Sequence, residues 1–186
     1  MKSSTCKIPG LIIIEPKVFE DSRGYFFESY HTALFEEHGI RDKFVQDNQS
    51  KSTYGVIRGL HYQLEPFSQA KLVRVLYGSV LDVALDIRKG SPTYGQHFSI
   101  ELSAENNKQL YIPKGFAHGF SVLSETAVFA YKCDQYYNKA SEAGILYNDE
   151  ALNINWGIEN SKEVVSEKDL LLPALKYSQS NFEFVS

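Results

Sequence analysis

The sequence predicts a mainly β fold, a barrel or sandwich of the jelly-roll type with a few short helices. Its apolar runs are short, and turn residues separate them at close intervals, as in all-β folds. One run, residues 80–87 (VLDVALDI), alternates with the two-residue period of a strand. The helical patterns are brief by comparison.

Taken in order, residues 11–14 form a first apolar strand, and residues 26–30 (FFESY) a second candidate. Residues 31–38 (HTALFEEH), followed by Gly39, read as a short helix with a glycine stop. Residues 72–77 (LVRVLY) run into Gly78 and the alternating strand. There Leu81, Val83, Leu85 and Ile87 face a core, while Val80, Asp82, Ala84 and Asp86 face solvent or a polar cavity. Further strands are expected at 98–102, 110–112, 119–123 and 128–133, with turns at 89–92, 103–106 and 113–115. Ser166-Glu167-Lys168-Asp169 resembles the start of a helical turn in a polar tail.

A chain of 186 residues fits one domain spanning 1–186 and can bury a substantial core. The 12 Tyr and 12 Phe either line a wet sugar pocket or reflect the β preference of aromatics. The net charge of -4 argues against a nucleic-acid polymer as partner, yet a nucleotide needs only a few placed cations. Cys6 and Cys133, with no CxxC, imply neither a disulfide framework nor a structural zinc site. The run at 11–14 is too short for a signal-peptide core and no stretch approaches membrane-spanning length, so a cytoplasmic protein with no membrane partner is expected.

Four clusters could carry chemistry. In residues 58–63 (RGLHYQ), a strand puts Gly59, His61 and Gln63 on one face; a His and an amide there bind metal, move protons, or simply sit on a surface strand. Lys71 opens an apolar strand, either as a solvated edge lysine or as a cation placed where an oxyanion forms. In residues 112–120 the Pro113-Lys114-Gly115 turn delivers His118 back into the sheet. Finally, Tyr131 on a strand, Tyr136-Tyr137 after it and Glu142 offer a packing residue or an acid, and a base-stacking pair or a core cover.

Residues 113–118 (PKGFAH) resemble the second motif of the cupin superfamily. Metal-binding cupins carry His-x-His and then Glu in the first motif. Here that region reads His61-Tyr62-Gln63, and the next polar strand residue is Lys71, which repels a metal ion. The ligand set is depleted, so the site reads as metal-free, with no cofactor. The agreement extends further. RGLHYQ, QAKLVRV, DVALDIRKGSPTYG, LSAENNKQLYIPKGFAHGF and SEKD, in this order and spacing, closely resemble the dTDP-4-dehydrorhamnose 3,5-epimerase family over about residues 8–173. Ala70 departs from the family's usual Gly, and the final dozen residues find no match.

The resemblance implies a cupin-type jelly roll, a homodimer, and a dTDP-sugar substrate, dTDP-4-dehydro-6-deoxy-D-glucose, epimerised at C3 and C5. It assigns His61 as general base, Asp169 as the carboxylate that orients it, Tyr131 as general acid and Lys71 as support for the enolate. It places substrate contacts on Arg23, Glu28, Gln46, Asp47, Asn48, Arg58, His118, Glu142 and Lys168, and the base-stacking ring on Tyr137. Glu28 is expected to reach the neighbouring subunit's site. The rival expectations are a C3-only epimerase or ketoisomerase on a related nucleotide deoxysugar, a metal-dependent cupin enzyme, and a non-catalytic sugar-nucleotide sensor.

Overall fold

The computed structural model describes residues 1–185. Its strands are β1 (Lys2–Thr5), β2 (Ile12–Glu15), β3 (Phe19–Asp21), β4 (Gly24–Phe26), β5 (Gln46–Thr53), β6 (Ile57–Gln63), β7 (Lys71–Tyr77), β8 (Ser79–Asp86), β9 (His97–Ser103), β10 (Gln109–Ile112), β11 (Phe116–Val122), β12 (Thr126–Cys133) and β13 (Glu142–Gly144). Two short helices, α1 (Thr32–Glu37) and α2 (Glu167–Leu170), accompany them. A six-stranded antiparallel sheet, β1-β2-β10-β7-β12-β5, packs on a five-stranded one, β13-β6-β11-β8-β9, as a cupin-type jelly roll.

The space between the sheets holds the main core, with Val73, Val75, Val80, Ala84, Leu102, Leu110, Phe120 and Phe129 buried together. Strand β8 shows why its sequence alternates. Leu85 and Ile87 pack outward under the C-terminal segments with Tyr147, Trp156 and Phe182. The opposite face is also buried: Val80 and Ala84 enter the barrel, and Asp82 between them is fully enclosed. The acidic face of β8 is therefore buried: Asp82 meets His118, Asp86 meets Arg88, Ser91 and Thr93, and neither meets solvent.

Several elements differ from the sequence expectation. The strand expected at 26–30 is Gly24–Phe26, the second arm of a β3–β4 hairpin. Gly24, at φ +123, makes the turn, and beyond Phe26 the chain leaves the pairing as Phe27 stacks on Tyr25. Strand β5 carries no apolar alternation because it is polar on both faces (QDNQSKST). Strand β6 breaks its alternation. Its register against β11 runs His118↔His61 and then Phe120↔Arg58, one extra residue on β6. The bulge puts Arg58, and not Gly59, beside His61 on the cavity face. Gly59 instead touches β11 closely, and a Cβ there would lie 2.5 Å from the Gly119 Cα.

The helix at 31–38 forms as expected, capped by His31, with Phe35 buried on the outer face of the six-stranded sheet. Ser166 caps α2, its hydroxyl accepting from the Asp169 N–H. The tail is ordered beyond the last motif: Phe182 is buried, and Lys89 pairs with Glu183 in a parallel bridge. Among the described residues, no helix is long and apolar enough to cross a membrane.

Candidate active site

One end of the barrel opens into a cavity of ≈ 650 Å³ whose lining includes Arg58 and His61 from β6, Lys71 from β7, His118 from β11, Tyr131 from β12 and Asp169 from α2. The strand period explains the convergence. Lys71 shares the inward parity of Val73 and Val75, and Tyr131 that of Phe129, so each points a polar end into the mouth above an apolar floor. Lys71 does not sit on a sheet edge, because β7 lies between β10 and β12.

His61 Nε2 donates to Asp169 Oδ1 at 2.8 Å. A carboxylate only accepts, so this bond assigns the ring hydrogen to Nε2 and leaves Nδ1 as the basic nitrogen. Burial works against the Asp169 carboxylate. Hydrogen bonds from His61, the Gly59 N–H and Ser166, with the His61 charge, outweigh it and hold the carboxyl below the usual range. A second pair lies deeper: His118 Nε2 donates to Asp82 Oδ2, also at 2.8 Å. Burial pulls the His118 pKa below the ordinary histidine value, with Asp82 opposing, so this ring stays neutral. Asp82 was not among the expected site residues; its only signal was its place on the small, acidic face of β8.

Lys71 Nζ has no hydrogen-bond partner among the described residues and lies 5.9 Å from the Tyr131 ring centroid. Burial lowers its pKa, while Cys133 and Asp82 oppose that shift. Burial raises the Tyr131 phenol, so it keeps its proton at neutral pH. Cys133 is pushed up to about 11, chiefly by burial, and remains a thiol. Phe129 forms the floor between them, stacked on Phe120 at 4.2 Å and facing His118 and Tyr131 at 6.0 Å.

Around the mouth, Arg58 is steered by Ser52, whose Oγ accepts from both Nε and Nη2 at 3.1 Å. Glu142 accepts from Lys168 Nζ at 2.6 Å and from the Tyr137 hydroxyl at 2.9 Å, tying three expected contact residues into one rim. Burial acts against the Glu142 carboxylate, but these two donors prevail and hold its pKa low. Asn48 lines the cavity, and Gln46 donates to it at 3.1 Å.

Three expected contacts are not brought together with the rest. Asp47 points to the outer face of the six-stranded sheet, because it sits one residue out of phase with Gln46 and Asn48, and it binds Lys132 there. Arg23 lies at the hairpin turn, its side chain 88% exposed and paired with Asp21. Glu28 is exposed just beyond the same hairpin. Among the described residues, no three His, Cys, Asp or Glu side chains are grouped to hold a metal ion.

This arrangement has recognisable relatives. Residues 5–177 match the family model described as dTDP-4-dehydrorhamnose 3,5-epimerase. The chain belongs to this family. It is 56% identical over 165 residues to the dTDP-4-dehydrorhamnose 3,5-epimerase of Shigella flexneri, covering 88% of this chain and 90% of that one. A crystal structure of the Legionella pneumophila dTDP-6-deoxy-D-glucose-3,5-epimerase with dTDP-4-keto-L-rhamnose superposes with a TM-score of 0.91 at 51% identity, covering 95% and 93% of the two chains. A 3'-monoepimerase from Streptomyces bikiniensis in complex with dTDP-quinovose is more distant, at 32% identity and a TM-score of 0.85 over 92% and 86%. Membership of the 3,5-epimerase family makes this protein an isomerase.

Proposed function

We propose that the protein converts dTDP-4-dehydro-6-deoxy-D-glucose to dTDP-4-dehydro-L-rhamnose by removing and returning protons at C3 and C5, without a cofactor. The observation that carries this reading is the shared cavity of His61 with its Asp169, Lys71 and Tyr131. The C4 ketone acidifies its neighbouring C–H bonds, because each carbanion delocalises as an enolate. His61 takes the proton through Nδ1, and Asp169 stabilises the imidazolium that results. The Lys71 ammonium meets the charge that develops on O4. Tyr131, its proton retained by burial, returns a proton from its own side of the ring. Arg58 holds the diphosphate by its fork of donors, with Asn48, His118, Glu142 and Lys168 as further contacts, and Tyr137 stacks on the base.

The β3–β4 arm supports a homodimer. Phe19, Tyr25 and Phe26 on it are 52%, 61% and 66% exposed, and Arg23 and Glu28 lie away from this chain's own cavity. In a dimer the arm serves the partner's site; a fully active monomer in sedimentation and activity assays would remove that part of the reading. The chain acts as one domain, in the cytoplasm.

The deciding experiment is incubation with the dTDP-4-dehydro-6-deoxyglucose substrate in D₂O, followed by NMR at C3 and C5. Deuterium at both carbons, with the L-rhamno ketosugar as product, is expected. Deuterium at C3 alone would make the protein a single-carbon epimerase like the more distant relative. No exchange at either carbon would remove the dTDP-sugar assignment.

A further inference from the structure

Gln63 shares a motif with His61 but does not reach the cavity as a free amide. It is only 5% exposed, and its three side-chain hydrogen bonds all go to backbone. Its Oε1 accepts from the Asn138 N–H at 2.6 Å, and its Nε2 donates to the carbonyls of Phe67 at 2.6 Å and Tyr136 at 3.3 Å. These contacts close around Tyr137. The Tyr137 N–H is held from the other sheet, by Gln46 Oε1 at 3.1 Å. The main-chain groups on both sides of this residue therefore end on two glutamine side chains, one from β6 and one from β5.

The segment needs such anchors. Residues 134–138 belong to no strand or helix, and Tyr136 and Tyr137 are 63% and 55% exposed. An exposed loop without them would sample many conformations, and a ligand stacking on Tyr137 would bear the cost of ordering it. The Tyr137 hydroxyl bond to Glu142 fixes the far end of the side chain but leaves the backbone free to shift. Glu142 itself pairs with Gln63 across β13 and β6, so one pair of strands places both the backbone clasp and the hydroxyl anchor.

We infer that Gln63 is a positioning residue for nucleotide binding: its buried amide clasps the 136–138 backbone and presets the Tyr137 ring for the base of the dTDP-sugar. The inference rests on Tyr137 being the stacking residue. Gln63 acts on binding and not on proton transfer, although it stands two residues from the base.

Gln63→Met keeps the side chain's length and removes all three hydrogen bonds. The probe is dTDP, titrated calorimetrically into Gln63→Met, Tyr137→Ala and the double variant, with steady-state kinetics beside it. Gln63→Met is expected to weaken dTDP and raise KM by about tenfold, leaving kcat within about twofold. In the Tyr137→Ala background the same change should cost less than about twofold more, because the ring it positions is gone. Amide hydrogen exchange at residues 136–138 should speed up while that of β11 does not. Losses that multiply in the double variant, or a fall in kcat at constant KM, would overturn the inference. If Tyr137→Ala binds dTDP like the unaltered protein, the stacking reading fails instead, and unchanged exchange at 136–138 in Gln63→Met would then sink the clasp as well. Should Gln63→Met fail to fold, Gln63→Glu preserves size and the acceptor for Asn138 but loses the donor, and the same measurements apply.

Discussion

Two histidine–aspartate pairs of equal length, 2.8 Å, stand in one cavity and are built for different work. His61 lies near the mouth with 35% of its side chain exposed, its carboxylate reaching it from α2. His118 lies on the floor, 7% exposed, against an Asp82 that is fully enclosed and has Oδ1 unpartnered among the described residues. The hydrogen bond is the same; the surroundings decide its use. At the mouth the ring is open to solvent, and a proton gained there would be met by a carboxylate already held in its charged form. On the floor, burial opposes charging the ring, and Lys71 and His61 oppose it further. On the proposed mechanism, the first pair exchanges protons. On the same reading, the second offers a neutral ring whose orientation Asp82 fixes.

That division can be broken by experiment. The largest effect is expected at the mouth: His61→Asn should lower kcat by roughly 10⁴, and Asp169→Asn by about 10² to 10³, with dTDP affinity nearly unchanged in calorimetry. Near-normal turnover in His61→Asn would mean the base lies elsewhere. On the floor, Asp82→Asn still accepts from His118 Nε2 and should cost only about tenfold in kcat/KM. A loss there as large as that of Asp169→Asn would erase the distinction between the pairs. The smallest effect is on titration. The folded His118 pKa lies below 6.5, so below that pH the unfolded chain takes up a proton that the folded chain refuses. Stability should therefore fall as pH drops from 6.5 towards the folded value, and His118→Gln should flatten that slope in thermal melts. NMR should find the His118 ring titrating with a midpoint below the ordinary histidine value; a midpoint at that value would remove the electrostatic half of the contrast.

The legible parts of the molecule were those where the apolar pattern or a motif survived. Strands β7, β8, β11 and β12 announced themselves by alternation or apolar runs, and His61, Lys71, His118 and Asp169 by their motifs. Strand β5 did not, because its inward residues Gln46, Asn48, Ser50 and Ser52 are polar, Asn48 and Ser50 lining the cavity, and its outward ones are polar too. A strand with no apolar face hides its phase, and so Asp47 was grouped with its neighbours although one residue of offset sends it to the other side. The bulge in β6 was equally invisible, since Gly59 shows its purpose only once Gly119 lies against it. Asp82 looked like half of an amphipathic pattern until the second sheet closed over it.

The bond between His61 and Asp169 joins residues 108 apart in the chain, and this has a consequence for how the protein acquires activity. The carboxylate arrives with the segments that cover the five-stranded sheet, and those segments also bury Trp156, the chain's single tryptophan, under Tyr147. Such long-range closure is a late and slow event in β-rich folding. Both sheets can be paired while His61 still lacks its partner. During refolding, the rise of full turnover should thus track the shielding of that one indole, making intrinsic fluorescence a clock for the maturation of the catalyst.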